Sequence, residues 1–270
     1  MSARSRAEGS EGLRSPEDQL STRFVPVRVP LWREMLVALD WVALHASPVY
    51  RGAGIPHGDG APVVLVPGFL GTDAYLVEMH RWLGRMGYRS YLSNIGHNAE
   101  CPNILTQRLF RTMNRAYRET GRKMHLVGHS LGGIIARSAA GRRPSRVAQV
   151  ITMGSPINQV RAHPMVLAMA SFVRGRIQWR HRSRVEPQCY TGECTCEFVQ
   201  SLRRGLPAAI RRVSIYTKSD GIVDWRSCLY EDENANIEVS STHGGLAFNP
   251  QAFREIAFLL SPDGRLPSDE

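Results

Sequence analysis

The chain predicts an α/β fold with a mostly parallel central sheet flanked by helices, and three observations carry that expectation. Short apolar runs of strand character alternate with runs of helical period along most of the 270 residues. One run, Ala61–Val66, is apolar without interruption, as a central parallel strand buried on both faces requires. The third is Gly128-His129-Ser130-Leu131-Gly132, a Gly-x-Ser-x-Gly turn set between a strand-like run and a helix-like one.

Taken in order, residues 1–23 are polar and charged, rich in Ser, Arg, Glu and Gly, and have no periodic apolar positions. They predict a disordered tail ahead of a domain covering 24–270. The tail lacks the apolar core of a secretory signal and no run approaches the length of a membrane span, so a cytoplasmic location is expected. Leu31–Ala46 reads as an apolar helix packed on the domain or associated with a lid or membrane surface. Helices follow at Leu76, Met79, Leu83 and Met86, and at Leu105, Leu109, Met113 and Tyr117, with a strand at Tyr88–Leu92 between them. Past the serine turn come a helix at Ile134–Ala140 and strands at Val147–Met153, Arg212–Thr217 and Ile237–Val239. Between residues 155 and 206 the alternation breaks. The apolar run Met165–Val173 there predicts a helical cap insertion.

The chemistry concentrates just past the strands, on the rim where open parallel sheets gather their sites. A serine hydroxyl is a weak nucleophile until a sharp turn frees it from its neighbours, and Gly128 and Gly132 supply the room such a turn needs, so Ser130 is the candidate nucleophile. It needs a base and an orienting acid. His243 is the one histidine that follows both Ser130 and the candidate acids. Asp220 lies close to the end of its strand and precedes Gly221, which favours it as the acid over Asp224, whose expected role is a cap or loop ion pair. His129 is expected to pack beside the serine without serving it, and His97 to lie on the rim or in a surface loop. The glycine-bearing loop after Val66 would offer the Phe69 N–H, together with that of Leu131, as oxyanion donors.

The ordered segments Val-Leu-Val-Pro-Gly-Phe-Leu-Gly, Gly-His-Ser-Leu-Gly-Gly, Ser-Asp-Gly-Ile-Val-Asp-Trp and Thr-His-Gly-Gly-Leu resemble the α/β-hydrolase superfamily, nearest to bacterial triacylglycerol lipases and related esterases. The resemblance runs from about Pro62 to Phe258. It implies the α/β-hydrolase fold, a Ser130–Asp220–His243 triad, an oxyanion hole at Phe69 and Leu131, and cleavage of lipophilic acyl esters through an acyl-enzyme. Pro67 departs from it, standing where many such lipases carry histidine, but the main-chain donor does not depend on that side chain. The same triad would serve an acyltransferase or thioesterase. A hydrolase-fold binding protein is disfavoured by the three residue types standing in the expected order.

No cofactor or metal is expected. The five cysteines lack paired Cys-x-x-Cys spacing, although Cys189, Cys194 and Cys196 lie close enough to suggest a disulfide from that loop to Cys228. A formal charge of +10 raises nucleic acid as a partner. Arg108, Arg111, Arg115 and Arg118, however, share the face opposite an apolar stripe, as a solvated face does, and no nucleic-acid motif accompanies them. The expected partner is a small-molecule or lipid ester, with transient contact to anionic membrane surfaces.

Overall fold

The structure, a computed structural model, describes residues 21–181, 185–190 and 194–261, so the tail expected to be disordered lies outside the described residues as far as Leu20. Its last three positions need correction: strand β1 (Ser21–Pro26) already includes them. Its partner is β6 (Gln159–Ala162), which it meets in parallel register, Val25 opposite Arg161. Ladder bonds run between backbones, which is why a polar stretch without apolar periodicity can still form a strand.

The N-terminal segment expected as one helix divides into a 3₁₀ turn at Leu31–Leu36 and helix α1 (Val37–Ala46). Only Leu44 of the two is buried; Trp32, Met35, Leu39, Trp41 and Val42 are exposed. Apolar residues all round a helix leave no polar face to select one buried side.

The central sheet is all parallel and has six strands in the order β3-β2-β4-β5-β7-β8. These are β2 (Pro62–Val66), β3 (Arg89–Leu92), β4 (Met124–His129), β5 (Val147–Met153), β7 (Arg211–Tyr216) and β8 (Asn236–Glu238). Val63, Val64, Leu65 and Val66 are fully buried, because alternate residues of β2 meet different helical layers. One layer is α3 (Pro102–Thr120), α4 (Leu131–Arg142) and α6 (Glu197–Arg203). The other is α2 (Val77–Arg85) and α7 (Pro250–Leu260), joined by Leu44 of α1. The stripes read from the sequence are the packed faces: Met79 and Leu83 of α2, and Leu105, Leu109 and Met113 of α3, are buried. Helix α3 begins on Pro102 and stops at Gly121, whose left-handed backbone (φ 66°) ends it.

The insertion between β5 and β7 is not uniformly a cap. It opens with β6, unforeseen in the sequence, and closes with α6, whose Phe198, Val199 and Leu202 join the main core against α4. Between them, α5 (Pro164–Arg180) packs through Val173 and Ile177 over Phe69, Leu70 and Cys101.

Candidate active site

Strand β4 delivers Ser130 to the end of the sheet in a conformation that L-residues seldom adopt, φ 52° and ψ −126°. Its own N–H is held by the Met153 carbonyl at 2.8 Å, and its carbonyl accepts from Gly133 N–H at 2.9 Å, so surrounding bonds sustain the strain. Space sets the glycines. A Cβ on Gly128 would lie 2.5 Å from the Gly132 carbonyl oxygen, and one on Gly132 only 2.2 Å from that of Val66. Gly68 gives the same clearance from the opposite side, since a Cβ there would be 3.0 Å from Cβ of Ser130.

The candidate acid and base sit beyond β7 and β8. Asp220 is buried, and its Oδ1 accepts the N–H groups of Ile222 and Val223, each at 2.8 Å. Its Oδ2 lies 2.6 Å from His243 Nδ1, which fixes the ring and assigns the proton to Nδ1. His243 Nε2 and Ser130 Oγ have no hydrogen-bond partner among the described residues, and both residues line one cavity. Burial opposes the charged imidazole, but the Asp220 charge and hydrogen bond, with Glu34 beyond them, outweigh it and raise the His243 pKa. Thr217 Oγ1 donates to the Ser241 carbonyl at 2.7 Å, tying the acid loop to the base loop.

Asp224 sits elsewhere in the network: it caps a 3₁₀ turn through Arg226 N–H at 3.1 Å and pairs with Arg161 at 2.9 Å. His129 packs behind the base, its Nε2 2.9 Å from the His243 carbonyl and its ring 4.9 Å from the His243 ring. Desolvation, reinforced by His243, pushes its pKa down to about 3, so it is neutral at ordinary pH and donates to that carbonyl.

Phe69 and Leu131 bracket the serine, and neither backbone N–H is spent on an acceptor among the described residues. The loop carrying Phe69 is pinned by a residue that sequence reading missed. Buried Asn98 donates from Nδ2 to the Pro67 carbonyl at 2.8 Å, accepts Leu70 N–H on its own carbonyl at 2.9 Å, and donates its N–H to Gly71 at 2.8 Å. His97, exposed, caps the same loop at the Leu70 carbonyl, 2.7 Å away. Sequence reading also missed Glu34, although one acid amid the apolar residues of Leu31–Leu36 was a visible signal.

Above Ser130 opens a cavity of about 560 Å³, within the range of small-ligand pockets. Its walls are mostly apolar, with Leu167 and Met169 from α5, Phe198 from α6 and Phe24 from β1. Phe172 of α5 points away and is 75% exposed. The cysteines do not pair as the sequence suggested. Cys189 Sγ lies 3.3 Å from Cys101 Sγ, while Cys228 is buried apart beneath the Asp220 loop, its carbonyl accepting from Ser214. All five are free thiols. Among the described residues no cluster of His, Cys, Asp or Glu is arranged to hold a metal ion, and no helix is long and apolar enough to cross a membrane.

A family model described as the alpha/beta hydrolase fold matches residues 120–188, the segment that contains the serine turn. The chain is 30% identical over 144 residues to a triacylglycerol lipase of Burkholderia plantarii, covering 49% of this chain and 40% of that protein. It is 33% identical over 104 residues to one of Pseudarthrobacter phenanthrenivorans, covering 35% and 33% respectively. The chain thus spans less than half the length of these curated relatives. Among solved structures, lipase B of Aspergillus fumigatus superposes with a TM-score of 0.54 at 19% identity, over 81% of this chain and 57% of that one. The protein has the α/β-hydrolase fold and resembles bacterial lipases and esterases.

Proposed function

We propose that this protein is a serine hydrolase of carboxylic esters, acting on lipophilic acyl groups through an acyl-enzyme on Ser130. The observation that carries the reading is the convergence of three features on one cavity: a serine held at positive φ, a histidine whose Nδ1 is committed to a buried aspartate, and two uncommitted amides. In that arrangement His243 Nε2 takes the Ser130 proton as Oγ attacks the ester carbonyl. Asp220 holds the ring and stabilises the imidazolium that forms. The amides of Phe69 and Leu131 receive the oxyanion, each such donor being worth about 10²–10³ in rate. His243 then protonates the departing alcohol and, in the second half, activates the water that releases the acid. No step calls for a cofactor.

Apolar walls favour an acyl chain over an anionic group, because each buried methylene contributes about 0.8 kcal/mol and no lysine or arginine lines the cavity to pair with an anion. Exposed Trp32, Met35 and Leu39, in the segment whose Glu34 and Val37 line the cavity, with a net charge of +10, support transient contact with anionic lipid surfaces.

A fluorophosphonate probe followed by peptide mass spectrometry tests the nucleophile: the adduct is expected on the Ser130 peptide. Ser130→Ala is expected to lower kcat for p-nitrophenyl esters by about 10⁴–10⁶. Active protein labelled at another residue, or a fully active alanine variant, would end the proposal.

A further inference from the structure

Beside the Asp220–His243 pair lies a second carboxylate that the triad does not use. Glu34, from the 3₁₀ turn at Leu31–Leu36, accepts three backbone N–H groups: Gly221 at 2.9 Å and His243 at 3.0 Å on Oε1, and Gly244 at 2.8 Å on Oε2. These amides belong to the acid loop after β7 and the base loop after β8, while the acceptor comes from a third segment, 187 residues before Gly221. The approach is close enough to restrict both loops. A Cβ on Gly221 would lie 2.9 Å from Glu34 Oε1, and one on Gly244 3.3 Å from Oε2. Neither glycine has a left-handed backbone; Gly221 clears the Pro30 carbonyl oxygen, 2.8 Å from such a Cβ, together with Glu34, and Gly244 clears Glu34. A neighbouring anchor comes from Asp40 of α1, which accepts from Asn249 Nδ2 at 3.0 Å and lies 3.4 Å from Thr242 Oγ1.

We propose that Glu34 is a positioning residue for the candidate triad: it sets the spacing of the acid loop against the base loop and holds a fixed negative charge beside the imidazole. Its consequence for turnover rests on the hydrolase reading above; its effect on the imidazole does not. Three charge-assisted bonds on one carboxylate resist displacement more strongly than neutral ones. Glutamine cannot replace them all, since it offers one acceptor oxygen and would turn its NH₂ donors toward an amide N–H.

The titratable groups around His243 come from five segments. Asp220 is bonded at Nδ1, and Glu34 lies under the backbone. Neutral His129 packs against the ring, and Tyr75 donates its hydroxyl to the Gly244 carbonyl. Asp40 is the next charge, beyond Thr242. Of these, Asp220 and Glu34 favour the imidazolium, while His129 is neutral. Removing the Glu34 charge therefore favours the neutral ring and moves its titration to lower pH.

The test compares Glu34→Gln and Glu34→Asp with the unmodified full chain. The His243 Nδ1–H resonance, assigned by its loss in His243→Ala, is followed by NMR against pH, and kcat and KM are measured on p-nitrophenyl butyrate. Glu34→Gln is expected to lower the titration midpoint, to move the acid limb of kcat/KM the same way, and to cut kcat about 10-fold with KM little changed. Glu34→Asp keeps the charge but is one methylene short of spanning both loops; its midpoint is expected near that of the unmodified protein, with kcat still reduced. Should Glu34→Gln not fold, the kcat of Glu34→Asp decides. Folded variants with the original midpoint and kcat overturn the inference. A protein without ester turnover defeats the hydrolase reading instead, and the NMR midpoint then still tests Glu34.

Discussion

Helices α4 and α5 are made of similarly apolar sequence, yet they live in opposite surroundings. Every residue of α4 from Gly132 to Ala140 is buried, whereas in the 17 residues of α5 only Val173 and Ile177 are. Helix α4 lies between the sheet, α3 and α6, and its first turn carries the amide expected to receive the oxyanion. Helix α5 rests on the loop after β2 and turns Met165, Phe172 and Trp179 outward. The difference separates two tasks. Atoms that react need positions over-determined by packing, while surfaces that receive a chain of variable length need apolar area and little else.

After the loss of Ser130 itself, the largest expected effect lies on the same tightly specified side. Asp220→Asn should lower kcat by about 10⁴, because an amide cannot fix the Nδ1–H tautomer of His243 that the base requires. Asp224→Asn should cost far less, since its carboxylate serves a 3₁₀ cap and Arg161. Steady-state kinetics on one short ester ranks the two. If Asp224→Asn were the more damaging, the acid would be assigned wrongly and the rigid half of the comparison would lose its centre.

A smaller effect belongs to the cavity wall. Leu167 lines the cavity while Phe172, five residues on, is 75% exposed. Leu167→Ser should lower kcat/KM for octanoate esters about 10-fold relative to acetate esters, in keeping with the loss of one largely apolar contact. Phe172→Ser should leave the octanoate-to-acetate ratio unchanged. A changed ratio in the Phe172 variant would mean that α5 folds further over the cavity when substrate arrives, so its static exposure would not describe the working state.

What was legible in the sequence follows the same division. The candidate triad of Ser130, Asp220 and His243 could be read as a set because each residue lies within a few positions of a strand end and carries its glycine or turn partner beside it. The central strands were legible because burial on both faces leaves an unbroken apolar run. Glu34 and Asn98 were not, since their importance rests on partners far along the chain: Glu34 meets His243 across 209 residues, and Asn98 meets Pro67 across 31. The pairing of β1 with β6 was hidden for a related reason, as backbone ladders leave no side-chain signature. Cysteine spacing misled, because Cys189 meets Cys101, which lies on the opposite side of the serine turn in sequence.

The smallest effect gives the sharpest check on the contrast between the helices. Each contains a glycine inside its span, Gly132 in the first turn of α4 and Gly175 in the interior of α5. A Cβ on Gly132 would press to 2.2 Å of a main-chain oxygen, whereas one on Gly175 would meet nothing within 4 Å. Glycine in a helix interior costs about 0.5–1 kcal/mol relative to alanine, through backbone freedom retained in the unfolded chain. Gly175→Ala should therefore stabilise the protein by about that amount and raise Tm by roughly 1–4 °C if α5 unfolds together with the sheet. If α5 opens separately, the gain should appear only as slower amide hydrogen exchange within Pro164–Arg180, with Tm unchanged. Either result keeps α5 as an open, lightly anchored helix, and the choice between them measures how far its stability is coupled to the sheet. A Tm lowered by Gly175→Ala would show that another surface packs against this face, and the contrast with α4 would fail there.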